Sequence, residues 1–259
     1  MLSGPKNKKA SSPPVSFQEE RDILELFNGF THPHLVTLLT TWTLEGNWYL
    51  MFPYAKYDLD SYWMEPSNWD FVDPETGRLE IDSTRWISKQ ILGLTDALDS
   101  LHDARQLHGN QHKIYGRHGD VKPENILWFR CPSDHKGILV LTDFGLSSYE
   151  SVRDRLARPA DGIPFTPNYR PPECDMQNGM VSQSSDIWQL GCVLLEFVCW
   201  ALGGPKLRAE FERQRESLSV MGFLTLTFFE VRVSTDGQYL FQAKDSVTKV
   251  STNVFAYKE

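Results

Sequence analysis

The polar residues best suited to chemistry lie between His118 and Asn125, where the sequence reads His-Gly-Asp-Val-Lys-Pro-Glu-Asn. Two short apolar segments later, the chain reaches Asp143. Asn125 and Asp143 carry oxygen ligands that suit Mg²⁺, an ion that usually shares its coordination with substrate phosphates. In the same arrangement, Asp120 would lie near a nucleophile and Lys122 would point toward an anion. Taken singly, either aspartate has the alternative role of capping a turn.

Short strands are expected to position this cluster. Residues 126–129 and 138–142 are rich in β-forming side chains, and they place Asn125 and Asp143 at strand ends. A long irregular segment separates them from Pro171-Pro172. The sequence therefore predicts a site built at the ends of short strands.

Two helices flank the cluster in the sequence. The first is expected to begin at Ser83 or Thr84, either of which is a suitable cap. Its apolar stripe recurs at helical spacing: Ile87, Ile91, Leu94, Leu98 and Leu101. The second helix is apolar and covers residues 186–202.

The amino-terminal part of the chain is mixed in character. Residues 1–16 combine Ser, Pro, Gly and Lys without apolar periodicity, which indicates a flexible tail. Within residues 17–27 the apolar positions fall on one face of a helix, so a helix is expected there. Two strands are expected at 35–42 and 47–52, joined by a turn at Glu45-Gly46.

The other segments complete an α+β pattern. The acidic stretch 66–82 is interpreted as a surface connection. In residues 223–244, apolar and polar side chains alternate on both sides of Thr235-Asp236-Gly237, which predicts a β-hairpin. A few strands followed mostly by helices favours an α+β fold over an alternating parallel-sheet fold.

Composition limits the classes of function. The 259 residues are 41% hydrophobic, enough for one large domain or two modest lobes. A net charge of −8 argues against nucleic acid or an anionic membrane as the main partner. Four cysteines without a CxxC pair indicate a reduced, intracellular protein of the cytoplasm or nucleus. The most apolar run, 190–202, is too short to span a bilayer and contains Glu196, so a buried helix is expected.

The order of motifs resembles the eukaryotic-type protein kinase family. The segment 118–125 is similar to the family's catalytic loop, and Asp143-Phe144-Gly145 to its metal-binding motif. Residues 169–173 resemble the closure of the activation loop, 186–191 the start of the central helix, and 32–36 the turn before a small-lobe strand. The Gly-Arg-His-Gly-Asp and Tyr-Arg-Pro-Pro-Glu segments look most like divergent fungal kinase-like proteins.

The resemblance implies a role for each polar residue of the cluster. Asp120 would orient the acceptor hydroxyl and take its proton, while Lys122 would offset charge on the transferred phosphoryl group. Asn125 and Asp143 would hold Mg²⁺. Thr166 stands where Ser/Thr-directed kinases place a threonine that contacts Asp120 and Lys122, so Ser or Thr is the expected acceptor.

The resemblance also implies a nucleotide site. Phe52 would line the back of the adenine pocket, and the carbonyl of Pro53 and the amide of Ala55 would meet the adenine edge. Glu20, with Glu19 as the alternative, falls where the family's regulatory helix carries its ion-pairing glutamate. ATP and Mg²⁺ are therefore the expected cofactors.

The implied fold is a two-lobe protein kinase fold with an incomplete small lobe and a mainly helical large lobe. Residues 17–55 would be the remnant of the small lobe and the hinge, and 56–259 the large lobe, with the resemblance clear to about residue 204. The sequence contains no Gly-x-Gly, and Lys6 is a poor candidate for the strand lysine. The chain is therefore expected to begin inside the small lobe.

Two further departures concern single positions. Gly119 replaces the arginine that usually precedes the catalytic Asp and receives an activation-loop phosphate, so no such switch is expected. The arginine that should pair with Glu173 cannot be identified. Several histidines near the loop (His102, His108, His112 and His118) suggest a metal site, but their irregular spacing favours a solvated loop.

The leading functional hypothesis is an ATP-dependent protein kinase acting on Ser or Thr of a protein substrate. The first alternative is a kinase-like binding or scaffold protein with weak or no catalysis. The second is a small-molecule phosphotransferase, whose loops often contain His-Gly-Asp but lack Lys122 and the Pro-Pro-Glu closure. No partnership with nucleic acid or membrane is expected, and the sequence does not specify an oligomeric state.

Overall fold

The computed structural model describes residues 18, 21, 32–103, 114–143, 148–151, 158–160 and 165–256. The first strands and helices are β1 (Thr40–Leu44), β2 (Asn47–Met51), β3 (Tyr57–Asp58), α1 (Leu59–Met64), α2 (Ile81–His102), β4 (Ile114–Arg117), β5 (Ile126–Cys131) and β6 (Asp134–Leu141). They are followed by β7 (Ser148–Ser151), β8 (Arg158–Pro159), β9 (Met180–Val181), α3 (Gln183–Gln214), β10 (Ser217–Leu218), β11 (Leu224–Thr225), β12 (Phe229–Val233), β13 (Tyr239–Ala243) and α4 (Asp245–Ala256). The α+β class is confirmed.

Strands β1 and β2 form an antiparallel pair, here called the front hairpin, with Thr40 opposite Met51. Its turn is the predicted Glu45-Gly46, and both residues have positive φ, as a two-residue hairpin turn requires. The predicted start of the first strand at residue 35 is wrong. Leu35 is buried and forms a parallel bridge with Leu141, so this segment belongs to the neighbouring sheet.

Strands β5 and β6 form the hairpin that positions the polar cluster. Ile126 lies opposite Leu141, and β3 pairs with the outer edge of β5. Beyond the last pair, the Thr142 amide donates to the Asn125 carbonyl at 2.9 Å. The two predicted strands are therefore confirmed. Asn125 directly precedes the start of β5, and Asp143 follows the adjacent end of β6.

Helix α2 buries most of its predicted stripe, but it begins earlier than expected. Its first residue is Ile81, and Ser83 is completely buried in the first turn instead of capping the helix. The preceding stretch is not simply a surface connection, because Phe71 is also fully buried and its carbonyl accepts the Glu80 amide. The helix start is thus fixed by packing of the preceding segment.

Helix α3 supplies much of the core. It begins at Gln183, three residues before the predicted start, because Ser182 and Ser185 form a capping box. Its regular geometry breaks at Gly203 and Gly204, the latter with φ +65, and Pro205 starts the continuation. Aromatic side chains of the core pack edge to face or tilted around it: Trp63, Phe71, Trp86, Phe197 and Trp200.

By length and composition alone, α3 is the one described helix that is apolar enough to cross a membrane. The structure gives a different reason for that composition. Phe197 and Trp200 are fully buried, and Glu196 is buried beside them with ionic partners. The apolar run is therefore core, as the sequence predicted.

The carboxyl-terminal part contains the predicted hairpin and more. Strands β12 and β13 pair with Phe229 opposite Ala243, and Gly237 lies in the turn with positive φ. The sequence did not predict the short β10–β11 pair or helix α4. Arg215, just after α3, is buried between the rings of Phe211 and Phe228.

Candidate active site

The centre of the site is the carboxylate of Asp120, which is almost fully buried. Thr166 Oγ1 donates to Asp120 Oδ1 at 2.7 Å, and Asn125 Nδ2 donates to Asp120 Oδ2 at 3.1 Å. Lys122 Nζ lies 2.6 Å from the same Oδ2 and also donates to Thr166 Oγ1 at 3.0 Å. The structure thus brings together four residues that the sequence singled out: one acid, one cation, one hydroxyl and one amide.

His118 joins the two strand-end segments of the site. Its Nδ1 accepts the Asp120 amide at 3.3 Å, so its Nε2 carries the hydrogen and donates to the Thr142 carbonyl at 3.0 Å. Burial lowers the pKa of His118, against the opposing effect of the negative charges of Asp186, Asp143 and Asp120. A neutral imidazole therefore connects the residue before Asp143 to the backbone of Asp120.

Residues 116–125, here called the braced loop, are held by hydrogen bonds to side chains of α3. Asp186 is completely buried, and its two oxygens accept the amides of His118 and Gly119 at 2.8 Å each. Gly119 has φ +88, a left-handed conformation that glycine adopts without steric cost. At this position the absence of an arginine therefore also relieves backbone strain.

The sequence assigned four histidines to a solvated loop, and this is wrong for His118, which is fully buried, and for His102. Its Nε2 lies 2.8 Å from Asp186 Oδ2, and its side chain is mostly buried at the end of α2. A buried carboxylate needs such partners because an unpaired charge in the interior is costly. His108 and His112 lie outside the described residues.

The side chains of the proposed metal ligands fit a hard cation. Asn125 uses its amide nitrogen on Asp120, which leaves its Oδ1 as the atom able to bind a cation. Asp143 is exposed and has φ +66, an uncommon conformation for a residue other than glycine. Within the described ranges, no group of three His, Cys, Asp or Glu side chains is arranged to hold a metal. Phosphate oxygens and water would therefore have to complete an Mg²⁺ shell.

The predicted adenine-binding residues follow the front hairpin and are not part of the Asp120 cluster. Phe52 is half-buried and packs against the core. Pro53 is exposed and Ala55 is half-buried, while Tyr54 between them is 90% exposed. Glu20 and its alternative Glu19 lie outside the described residues, as do Phe144 and Gly145.

Sequence reasoning missed a buried polar network beside residues 169–173. Tyr169 Oη donates to Glu196 Oε2 at 2.9 Å, and Arg215 Nη2 donates to Glu196 Oε1 at 2.5 Å. Burial and the Glu196 charge raise the pKa of Tyr169, so its hydroxyl stays protonated and donates. Glu173 instead accepts a hydrogen bond from the Ser185 hydroxyl at 2.9 Å. A charged residue inside an apolar run was the available signal for Glu196.

Gln183 and Gln189 were also missed, although they flank Asp186 at helical spacing. Gln183 Nε2 donates to the carbonyls of His102 and Gly116 at 2.8 and 2.9 Å. Gln189 Oε1 accepts the Val121 amide at 3.1 Å. Recurrence of a polar residue every third position in an apolar helix was the signal that could have identified them.

Comparison with known proteins gives consistent matches. The chain matches the family model described as Protein kinase domain over residues 4–233. It is 26% identical over 220 residues to Cyclin-dependent kinase 11.1 of Caenorhabditis elegans, covering 84% of this chain and 27% of that protein. It is 38% identical over 99 residues to Serine/threonine-protein kinase RUNKEL of Arabidopsis thaliana, covering 38% of this chain and 7% of that protein.

A solved structure agrees at the level of fold. A chain of the yeast RNA Pol II CTD kinase CTDK-1 complex has a TM-score of 0.51 and 20% identity, covering 82% of this chain and 61% of that chain. At this identity the likeness shows the fold alone. The chain spans 27% or less of the length of the two curated relatives.

Proposed function

Because this chain belongs to the protein kinase family, we propose that it is an ATP-dependent kinase that phosphorylates Ser or Thr hydroxyls of protein substrates. The observation that carries the proposal is the convergence of Lys122, Thr166 and Asn125 on the carboxylate of Asp120. Members of the family generally use ATP and Mg²⁺. Phosphoryl transfer depends mainly on positioning and charge stabilisation, which such a fixed polar cluster supplies.

The proposed mechanism assigns one task to each side chain. The oxygen of the substrate hydroxyl bonds to the γ-phosphorus of ATP while Asp120 accepts the proton of that hydroxyl. The bond between the γ-phosphorus and the oxygen of the ADP leaving group breaks. Lys122 leaves its contact with Asp120 to face the transferred phosphoryl group. Thr166 keeps Asp120 oriented through the hydrogen bond to Oδ1.

Asn125 and Asp143 are the residues that would hold Mg²⁺, and Phe52, Pro53 and Ala55 would border adenine. Mg²⁺, when bound, supplies positive charge to the phosphate oxygens. Asn125 has a second task, because its amide nitrogen donates to the Asp120 carbonyl at 2.8 Å and so fixes the backbone of the base. We further propose residues 17–55 as small lobe and hinge and 56–259 as large lobe.

The preference for Ser or Thr over Tyr rests on Lys122 and Thr166. The lysine lies two residues after Asp120, and its ammonium bridges that carboxylate and the Thr166 hydroxyl. This bridge places the activation segment close to the base. We also propose that its substrates are proteins and that it is located in the cytoplasm or nucleus.

The proposal is tested by transfer from radiolabelled ATP to a protein substrate, followed by analysis of the phosphorylated amino acid. Asp120→Asn should reduce the rate by about 10²-fold or more, because a positioned base commonly contributes 10²–10⁴-fold. Asp99→Asn is the matched control, since Asp99 is exposed on α2. Phosphotyrosine as the main product, or equal rates for the two variants, would contradict the proposal.

The second candidate is a kinase-like binding protein with little catalysis. It is favoured by the absence of Gly-x-Gly from this sequence and by the exposure of Pro53 and Tyr54. Phosphates without backbone amides around them stay hydrated and mobile, so we expect this 259-residue chain to bind ATP weakly and transfer slowly. A thermal-shift titration with ATP separates the candidates. ATP binding that depends on Mg²⁺ and is weakened by Asp143→Asn supports the kinase. ATP binding of equal strength with and without Mg²⁺ supports the binding protein.

A further inference from the structure

Three polar side chains project from one face of the first turns of α3 toward the braced loop. Gln183, Asp186 and Gln189 are spaced three residues apart, which keeps them on one side of a helix. Asp186 and Gln189 are both completely buried. A polar row of this kind inside an apolar helix needs partners, and all of those described here belong to the braced loop or to His102.

The partners of Gln189 lie on either side of Asp120. Its Oε1 accepts the Val121 amide at 3.1 Å, and its Nε2 faces the Gly119 carbonyl at 3.5 Å. The orientation of the side-chain amide follows from these neighbours, because only its oxygen can accept a backbone N–H. One buried amide therefore spans the residue that carries the central carboxylate.

The remaining contacts of the loop show what this amide adds. Asp186 fixes the amides of His118 and Gly119, which precede Asp120, whereas Gln189 fixes the amide that follows it. Without Gln189 the Val121 amide would be buried and unpaired, and the loop would shift to restore a hydrogen bond to it. A displacement of about 1 Å in a catalytic group can cost about 10²-fold in rate.

We propose that Gln189 is a positioning residue for Asp120. It holds the backbone amide that follows Asp120, whereas Asp186 holds the two amides that precede it. This inference rests on the proposed function. The side chain touches neither substrate nor phosphate and acts through the peptide groups of Gly119 and Val121. Its loss should therefore lower the rate of transfer without changing the affinity for nucleotide.

The chain offers a matched control in Gln90. It too is a buried glutamine, and its Oε1 accepts a backbone amide, that of Leu139, at 2.9 Å. Leu139 lies within β6, away from the braced loop. Gln189→Met and Gln90→Met keep side-chain length and remove the same kind of hydrogen bond, so both should lower Tm by similar amounts.

The test combines kinetics with hydrogen exchange on the full chain. Gln189→Met should reduce kcat about tenfold or more, with KM for ATP within about twofold of the parent, while Gln90→Met leaves both unchanged. Exchange of the amides at 119–122 should become faster only in Gln189→Met. Equal kcat values for the two variants, or unchanged exchange at 119–122, would overturn the inference.

The exchange measurement does not require activity, so it separates this inference from the proposed function. If the parent chain transfers no phosphate, the proposed function fails. Faster exchange confined to 119–122 would then still support Gln189 as the support of this loop, and unchanged exchange would reject it.

Discussion

The braced loop and the front hairpin are stabilised in opposite ways. In the braced loop, backbone amides of residues 118, 119 and 121 are bound by the buried side chains of Asp186 and Gln189. In the front hairpin, the backbone groups of β1 and β2 hydrogen-bond to each other, and side chains such as Leu44 and Met51 remain exposed. The molecule therefore uses distant, buried residues where a carboxylate must be fixed, and local pairing where nucleotide is expected.

The largest difference should appear when an aromatic residue is truncated in α3, which supports the braced loop, and another in the front hairpin. Phe197→Ala removes a fully buried core ring from α3, the helix that holds the braced loop, and should cost about 3–5 kcal/mol of unfolding free energy. Trp42→Ala removes a ring that is 39% exposed and stacked on Tyr49 in the front hairpin. That change should cost about 0.5–1.5 kcal/mol. Urea unfolding of both variants measures the two values, and equal losses would break the comparison.

A smaller effect is expected from adding one methyl group to the loop. Gly119→Ala forces a side chain into φ +88 and should destabilise the chain by about 1–2 kcal/mol. Gly191→Ala is the control. A Cβ at Gly191 would meet nothing within 4 Å, and the change should stabilise α3 by about 0.5–1 kcal/mol. Melting temperatures should move in opposite directions, and a Gly119→Ala variant as stable as the parent would contradict the strain argument.

The smallest expected effect is a pH dependence from His118, which is buried, and His34, which is half-buried. Burial lowers the pKa of His118 and of His34 below the ordinary value of 6.5. Well above pH 6.5, both imidazoles are neutral in the folded and in the unfolded chain, and the free energy of unfolding has its full value. As the pH falls below 6.5, the unfolded chain binds protons that the folded chain does not, so stability decreases. Each histidine contributes a slope of at most about 1.4 kcal/mol per pH unit.

Chemical unfolding between pH 7.5 and 5.5 tests this slope. His34→Gln should reduce it, because the lowered pKa of the half-buried His34 contributes to the slope. A parent chain whose stability rises on acidification would show that the histidines are not held neutral.

The sequence was informative where local patterns decide the structure. The stripe of α2, the Glu45-Gly46 turn and the strand ends at Asn125 and Asp143 follow from periodicity and turn chemistry. The grouping of Thr166 with Asp120 and Lys122 came from the family resemblance, since 44 residues separate Thr166 from Lys122. Periodicity alone does not predict such a contact.

The errors share a physical cause, which is packing between distant segments. Ser83 is buried by its neighbours in space although its residue type favours a helix cap. His102 finds Asp186, 84 positions later, and Leu35 joins β6 instead of continuing into β1. Tertiary contacts overrode the local preference in each case.

The break in α3 at Gly203 and Gly204 forms an elbow that a buried ion pair bridges. Glu196 lies before the break and Arg215 after the helix, and their side chains meet at 2.5 Å in the interior. Arg208, on the second arm, approaches the same carboxylate at 3.7 Å. Bending the elbow would separate a buried ion pair, which costs about 3–5 kcal/mol when a partner is lost. A force on the carboxyl-terminal hairpins would therefore have to break this buried ion pair before it could bend α3, the helix that holds the braced loop.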